Sequence, residues 1–275
     1  MNGIERQYLR ECIQALCEAR KSLLQLESEV AISPSDYGKG DSLCLDAYPE
    51  LTILDSLCQD FDPYFVVITE EIGSNVTLRG SEEQFYCFCD PMDRSKFLHD
   101  FLKKKNESGI LQDILCKENI KDEWENECGG DIEVSGPYGS ITVVRKEEIL
   151  FNVMINYITG VLYIACDEGV GSINFDDLFE NSSKTLMIRT KYLLDKLVPI
   201  SFEKDIDDNK QLNFVSYCKG KKYQDNIISS EIFPFNNFEK NEEKYLFYDS
   251  PGGPARILFL KDPPKVGFIL SNGYL

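Results

Sequence analysis

Positive charge is what this chain has least of. Only 29 of its 275 residues are lysine or arginine, against 47 aspartates and glutamates, for a net charge of −18. Nucleic-acid affinity comes largely from cations that neutralise phosphates, so this balance excludes general nucleic-acid binding. No run approaches the ~20 continuous apolar residues of a membrane helix, which leaves no membrane role. The N-terminus passes straight into charged, helix-like sequence (Met1-Asn2-Gly3-Ile4-Glu5-Arg6) and shows no apolar signal region. Ten cysteines are present without a single Cys-x-x-Cys pair, so they read as reduced thiols of a cytoplasmic protein, mostly small core residues. Histidine and tryptophan occur once each, as His99 and Trp124. A lone histidine on a helix reads as structural. Trp124, in a polar and acidic stretch over 106–131, reads as the anchor of a lid or of a subunit contact. No internal repeat or long linker divides the chain.

What is present is an ordinary globular composition, 43% hydrophobic with 12% aromatic. Apolar residues recur at helical spacing from Ile4 to Leu24, predicting a long amphipathic helix over 4–28. A turn-rich connection follows at 33–40. A second helix is expected from Pro49, a good first-turn residue, to Cys58, with Leu51, Leu54 and Leu57 facing inward. Apolar runs at 64–69 and 84–89 read as central strands, each ending in acids: Glu70-Glu71 after the first, Asp90 after the second. Ser95 to Lys105 reads as a helix with Phe97, Leu98, Phe101 and Leu102 on its apolar side. Strands follow near 141–144, 150–157 and 161–166, the last two joined by a turn at Tyr157-Ile158-Thr159-Gly160. The expected organisation is one compact α+β unit with two halves, 1–170 and 171–275.

The chemistry gathers at three acidic stations: Glu70-Glu71, the run Asp90-Pro91-Met92-Asp93, and Asp249 in Tyr248-Asp249-Ser250-Pro251-Gly252-Gly253. Mg²⁺ takes hard oxygen ligands and keeps several waters, so a few carboxylates and a substrate phosphate suffice to bind it. In Asp-Pro-Met-Asp the two side chains and the Met92 carbonyl can serve neighbouring ions, and paired ions can clamp a phosphate and activate water. Bound cations would also reverse the repulsion that a net charge of −18 presents to an anionic substrate. Each station alone is ordinary: Asp-Pro-x-Asp usually makes a turn, and Glu-Glu usually sits in solvent. Their order, each at the end of an apolar run, sets them apart.

In that order the three stations resemble the inositol monophosphatase superfamily of Mg²⁺-dependent, often lithium-sensitive phosphatases. The family pattern is Glu-Glu at a strand end, then Asp-Pro-(Ile/Leu/Val)-Asp-Gly-(Thr/Ser), then Trp-Asp followed by small residues. Here these become Thr69-Glu70-Glu71, Asp90-Pro91-Met92-Asp93-Arg94-Ser95 and Tyr248-Asp249-Ser250, while Lys39 through Asp46 could supply the family's upstream Lys and Asp. The resemblance implies a layered α/β/α/β/α sandwich. It also implies hydrolysis of a small phosphomonoester (inositol, sugar or nucleotide 3′-phosphate) with two or three Mg²⁺ ions, and a possible homodimer. Carried over by position, Glu70, Asp90, the Met92 carbonyl, Asp93 and Asp249 would bind metal. Ser95, with Asp46, would orient the attacking water, Glu70 would take part in catalysis, and Arg94, Ser95 and Lys39 would contact substrate. The chain departs from the pattern at Arg94, which replaces the family glycine. Its spacing from Asp93 to Phe97 is also one residue short, and Pro251 stands where a small residue is common. Arg94 could add a phosphate-binding cation. It could equally fill the pocket and pair with the acids, leaving a catalytically impaired relative that binds a phosphorylated ligand or a protein.

Overall fold

The computed structural model describes residues 1–37, 42–58, 65–69, 71, 73–74, 85–145, 148–166, 169–174, 198–199, 245–248 and 265–268. Helix α1 runs Gly3–Leu24. It starts where it does because Asn2 and Glu5 form a reciprocal cap: Asn2 Oδ1 accepts from the Ile4 and Glu5 amides, and Glu5 Oε2 accepts from the Asn2 amide at 2.8 Å. The short helix α2 (Ser28–Ala31) follows, so the single expected helix over 4–28 is broken near Gln25. Helix α3 spans Cys44–Cys58 and begins five residues earlier than expected. Asp46 explains the early start, since its Oδ2 accepts the Leu43 amide at 3.0 Å and caps the first turn. Pro49 therefore lies inside the helix, where it removes one intrahelical bond. The inward face is Ile53 and Leu54, while Leu51 is 46% exposed, contrary to expectation.

Strands β1 (Phe65–Thr69), β2 (Gly73–Ser74), β3 (Phe85–Asp93), β4 (Tyr138–Arg145), β5 (Glu148–Asn156), β6 (Val161–Cys166), β7 (Gly169–Asn174) and β8 (Val198–Pro199) form one sheet in the order β2-β1-β3-β4-β5-β6-β7-β8. Only β1 and β3 run parallel in it; every other neighbouring pair is antiparallel. A second, two-stranded parallel sheet pairs β9 (Tyr245–Tyr248) with β10 (Lys265–Phe268). This is the expected α+β class.

Helices α1 and α3 pack on each other and against the middle of the large sheet. The register places Cys87, Cys89, Ile141, Val143, Phe151, Val153, Ile155, Leu162 and Ile164 on one face, all of them buried. At ~25 cal/mol per Å² of apolar surface, this face is the main source of stability. On the other face lie Ser140, Thr142 and Asn152, polar residues that are equally buried. There Asn152 Nδ2 bonds Thr142 Oγ1 at 2.7 Å.

Helix α4 (Ser95–Lys105) has the expected bounds and ends on three lysines, whose charge suits a helix C-terminus. It is followed by α5 (Leu111–Leu115), α6 (Ile120–Cys128) and α7 (Ile132–Ser135). The acidic stretch over 106–131 is therefore folded, with two short helices in it. Trp124 is fully buried, its ring 5.1 Å from that of Phe101, so it is core rather than the anchor of a lid or subunit contact. Among the described residues no helix is long and apolar enough to cross a membrane.

Candidate active site

Parallel pairing of β1 and β3 sends both strands out of the sheet at the same end, Thr69 beside Cys89. That end carries the acids. Strand β3 continues antiparallel to β4 with Asp90 opposite Ser140 and Asp93 opposite Tyr138, so three steps on β3 answer two on β4. The extra residue is a β-bulge, the one kind of place inside a sheet where Pro91, lacking an N–H, is at no disadvantage. The Met92 amide turns inward and donates to Asp90 Oδ1 at 3.1 Å. Tyr157 Oη donates to the Pro91 carbonyl at 2.6 Å. Burial pushes the Tyr157 phenol well above its usual pKa, so the hydroxyl keeps its proton and remains a donor.

The next residue, Arg94, is left-handed at φ 72, ψ 30, and its carbonyl accepts the Phe97 and Leu98 amides that start α4. Left-handed backbone is what a glycine adopts at little steric cost. Here an arginine occupies that conformation. The Arg94 side chain is buried, at 8% exposure.

A pocket of about 410 Å³ opens at this end of the sheet. Asp46, Glu71, Asp90, Asp93, Arg94 and Ser95 line it, with Met92 alongside. Tertiary structure thus brings together six of the residues named from sequence: Asp46, Asp90, Met92, Asp93, Arg94 and Ser95. Glu70, Asp249 and Lys39 lie outside the described residues, as does Pro251. Among the described residues no three His, Cys, Asp or Glu side chains stand together as a metal cluster.

Three residues at the site, Glu71, Glu50 and His99, have no role in it assigned from sequence. Glu71 is buried in the pocket wall and accepts a hydrogen bond from Ser42 Oγ. Glu50 is wholly buried, accepting Thr69 Oγ1 at 2.5 Å and the Glu71 amide at 3.3 Å. Its spacing from Asp46, one helical turn, was a usable signal hidden by placing the helix start at Pro49. His99 stands in the wall with Nδ1 3.0 Å from Asp100 Oδ1.

No protein-family model and no curated protein matches this chain. Several solved structures do. CysQ from Bacteroides thetaiotaomicron, described as a bacterial member of the inositol monophosphatase family, matches at 17% identity and a TM-score of 0.43, over 74% of this chain and 60% of its own. The extragenic suppressor protein suhB from Bartonella henselae matches at 18% identity and 0.38, over 61% and 50%. Inositol monophosphatase II from Staphylococcus aureus matches at 16% identity and 0.37, over 61% and 48%. The chain thus spans about half the length of the solved structures it matches. These likenesses run to structures of the inositol monophosphatase family, the one that the Asp90-Pro91-Met92-Asp93 motif resembles.

Proposed function

We propose that the chain is a Mg²⁺-dependent phosphomonoesterase for a small phosphorylated metabolite such as an inositol, sugar or nucleotide 3′-phosphate. One observation carries the reading: Asp46, Asp90, Asp93 and Ser95, drawn from two helices and a strand, line a single pocket beside the buried cation Arg94. The donors suit the metal, because the carboxylates of Asp90 and Asp93 are the hard oxygen ligands Mg²⁺ prefers. Asp90, the Met92 carbonyl and Asp93 would hold it, completed by Glu70 and Asp249. When bound, Mg²⁺ supplies positive charge for the phosphate and lowers the pKa of water.

The chain's own residues do the rest. The Ser95 hydroxyl, with Asp46 as proton acceptor, orients the attacking water, and Asp46 is already held by its bond to the Leu43 amide. Backbone N–H groups at Arg94 and Ser95, at the start of an eleven-residue helix, suit an anion. The Arg94 guanidinium offers a fork of donors matched to phosphate oxygens, in a chain whose net charge otherwise repels them. A possible homodimer and a cytoplasmic location complete the proposal.

Purified protein with Mg²⁺ should release phosphate from a panel of such esters, and Asp90→Asn should abolish release. Inactivity across the panel together with no Mg²⁺ binding by titration calorimetry would overturn the reading. The burial of Arg94 favours one alternative, a pocket that binds a phosphorylated ligand without hydrolysing it. Arg94→Gly separates the two. It raises KM if the arginine serves catalysis, and it confers Mg²⁺-dependent hydrolysis if the arginine blocks it.

A further inference from the structure

The geometry points to Tyr157 as the positioning residue of the Asp90–Asp93 bulge, holding the proposed metal ligands in place from a hairpin more than sixty residues away in sequence. The inference rests on the Mg²⁺ reading of the pocket for its functional meaning, but its structural content stands separately. Three contacts on independent elements build the device.

The first is the hydrogen bond itself. Tyr157 is fully buried, and its hydroxyl reaches the Pro91 carbonyl at 2.6 Å. Pro91 is the centre of the bulge, between the two carboxylates. A proline there cannot tie itself to β4 by an N–H, so its carbonyl is a natural point at which to fix the peptide.

The second is a vacancy that the sequence keeps for that ring. A Cβ built on Gly139 of β4 would lie 2.3 Å from Tyr157 Oη and 2.7 Å from its Cζ. No side chain larger than hydrogen leaves the hydroxyl where it is. Gly139 follows Tyr138, the residue paired with Asp93 across the bulge, so the passage sits at the closing end of the irregularity.

The third fixes the hairpin that carries Tyr157. Arg20 of α1, itself buried, donates from Nε to the Tyr157 carbonyl at 3.1 Å and from Nη2 to the Ile158 carbonyl at 3.2 Å. Gly160 closes the turn at φ 74, with a built Cβ only 3.2 Å from the Arg20 guanidinium. The helix thus holds the hairpin, the hairpin holds the phenol, and the phenol holds the peptide between Asp90 and Met92. A tyrosine needed only for packing would require none of this polar alignment.

Tyr157→Phe removes one oxygen and keeps the ring. In native-state hydrogen exchange, the amides of Met92 and Asp93 should exchange about tenfold faster, roughly the equivalent of one lost hydrogen bond, while those of α1 and β5 stay unchanged. Titration calorimetry should show Mg²⁺ binding weakened by a similar factor. Faster local exchange in a chain that binds no Mg²⁺, wild type included, upholds the positioning role and removes the phosphatase reading. Unchanged exchange at Met92 and Asp93, or a rise spread evenly over the chain, overturns the positioning role. Should the variant not fold, the wild-type protein decides: the amides of Met92 and Asp93 must be protected like those of β4, and loop-like exchange there overturns the inference.

Discussion

Thr69 Oγ1 stands 2.5 Å from Glu50 Oε1, and the Glu71 amide donates to the other oxygen of the same carboxylate at 3.3 Å. One wholly buried acid on α3 therefore grips both Thr69, the last residue of β1, and the Glu71 amide. Tyr37 Oη makes a third, longer approach at 3.4 Å, and its phenol is pushed above its usual pKa by burial and by Glu50.

Glu50→Ala strands the Thr69 hydroxyl and the Glu71 N–H in a buried site. A loss of about 3 kcal/mol in urea unfolding is expected. Glu50→Gln keeps an acceptor oxygen and should cost about 1–2 kcal/mol. Equal costs for the two would show that the carboxylate geometry is irrelevant.

Left-handed backbone at Arg94 gives a second measurable quantity. Arg94→Ala and Arg94→Gly delete the same side chain beyond Cβ, but only glycine relieves the φ of 72. The glycine variant should be the more stable of the two by about 1 kcal/mol. Matching melting temperatures would refute the strain.

Trp124→Ala opens a large cavity against Phe101 in the packing between α4 and α6. The expected destabilisation is about 3–5 kcal/mol, measured by denaturant melts. A surface lid anchor would cost almost nothing, so the size of the effect separates the two roles.

Thiol chemistry provides the pH test. Burial raises Cys17 to about 12 and Cys128 to about 11, whereas Cys116 is exposed. The thiolate is the reactive form and needs access, so Cys116 should be alkylated before Cys128 and Cys17 at pH 8. Cys128 should gain reactivity as the pH climbs toward 11, and Cys17 should react only on unfolding. Mass spectrometry after timed alkylation reads the order; early labelling of Cys17 would contradict its burial.

Sequence periodicity alone located α1, α4 and the β3–β6 strands, because each has an apolar face that only one period fits. The Asp90-Pro91-Met92-Asp93 motif was legible through its order with the other acidic stations, since Asp-Pro-x-Asp by itself usually makes a turn. Boundaries set by side-chain caps were not. The start of α3 depends on Asp46 reaching the Leu43 amide, and that choice competes with a proline signal three residues on. Trp124 was misplaced because its neighbours are acidic, although α6 turns Ile120 and Trp124, one turn apart, inward while its acidic residues stay outside the core.

The identity of the pocket's acids and of the arginine among them was written in the sequence. What only the tertiary structure decided is how they are held. The grip of Glu50 and the phenol of Tyr157 on Pro91 are hydrogen bonds between residues distant in the chain. Such contacts leave no local period to read, and only the packed fold brings them within reach.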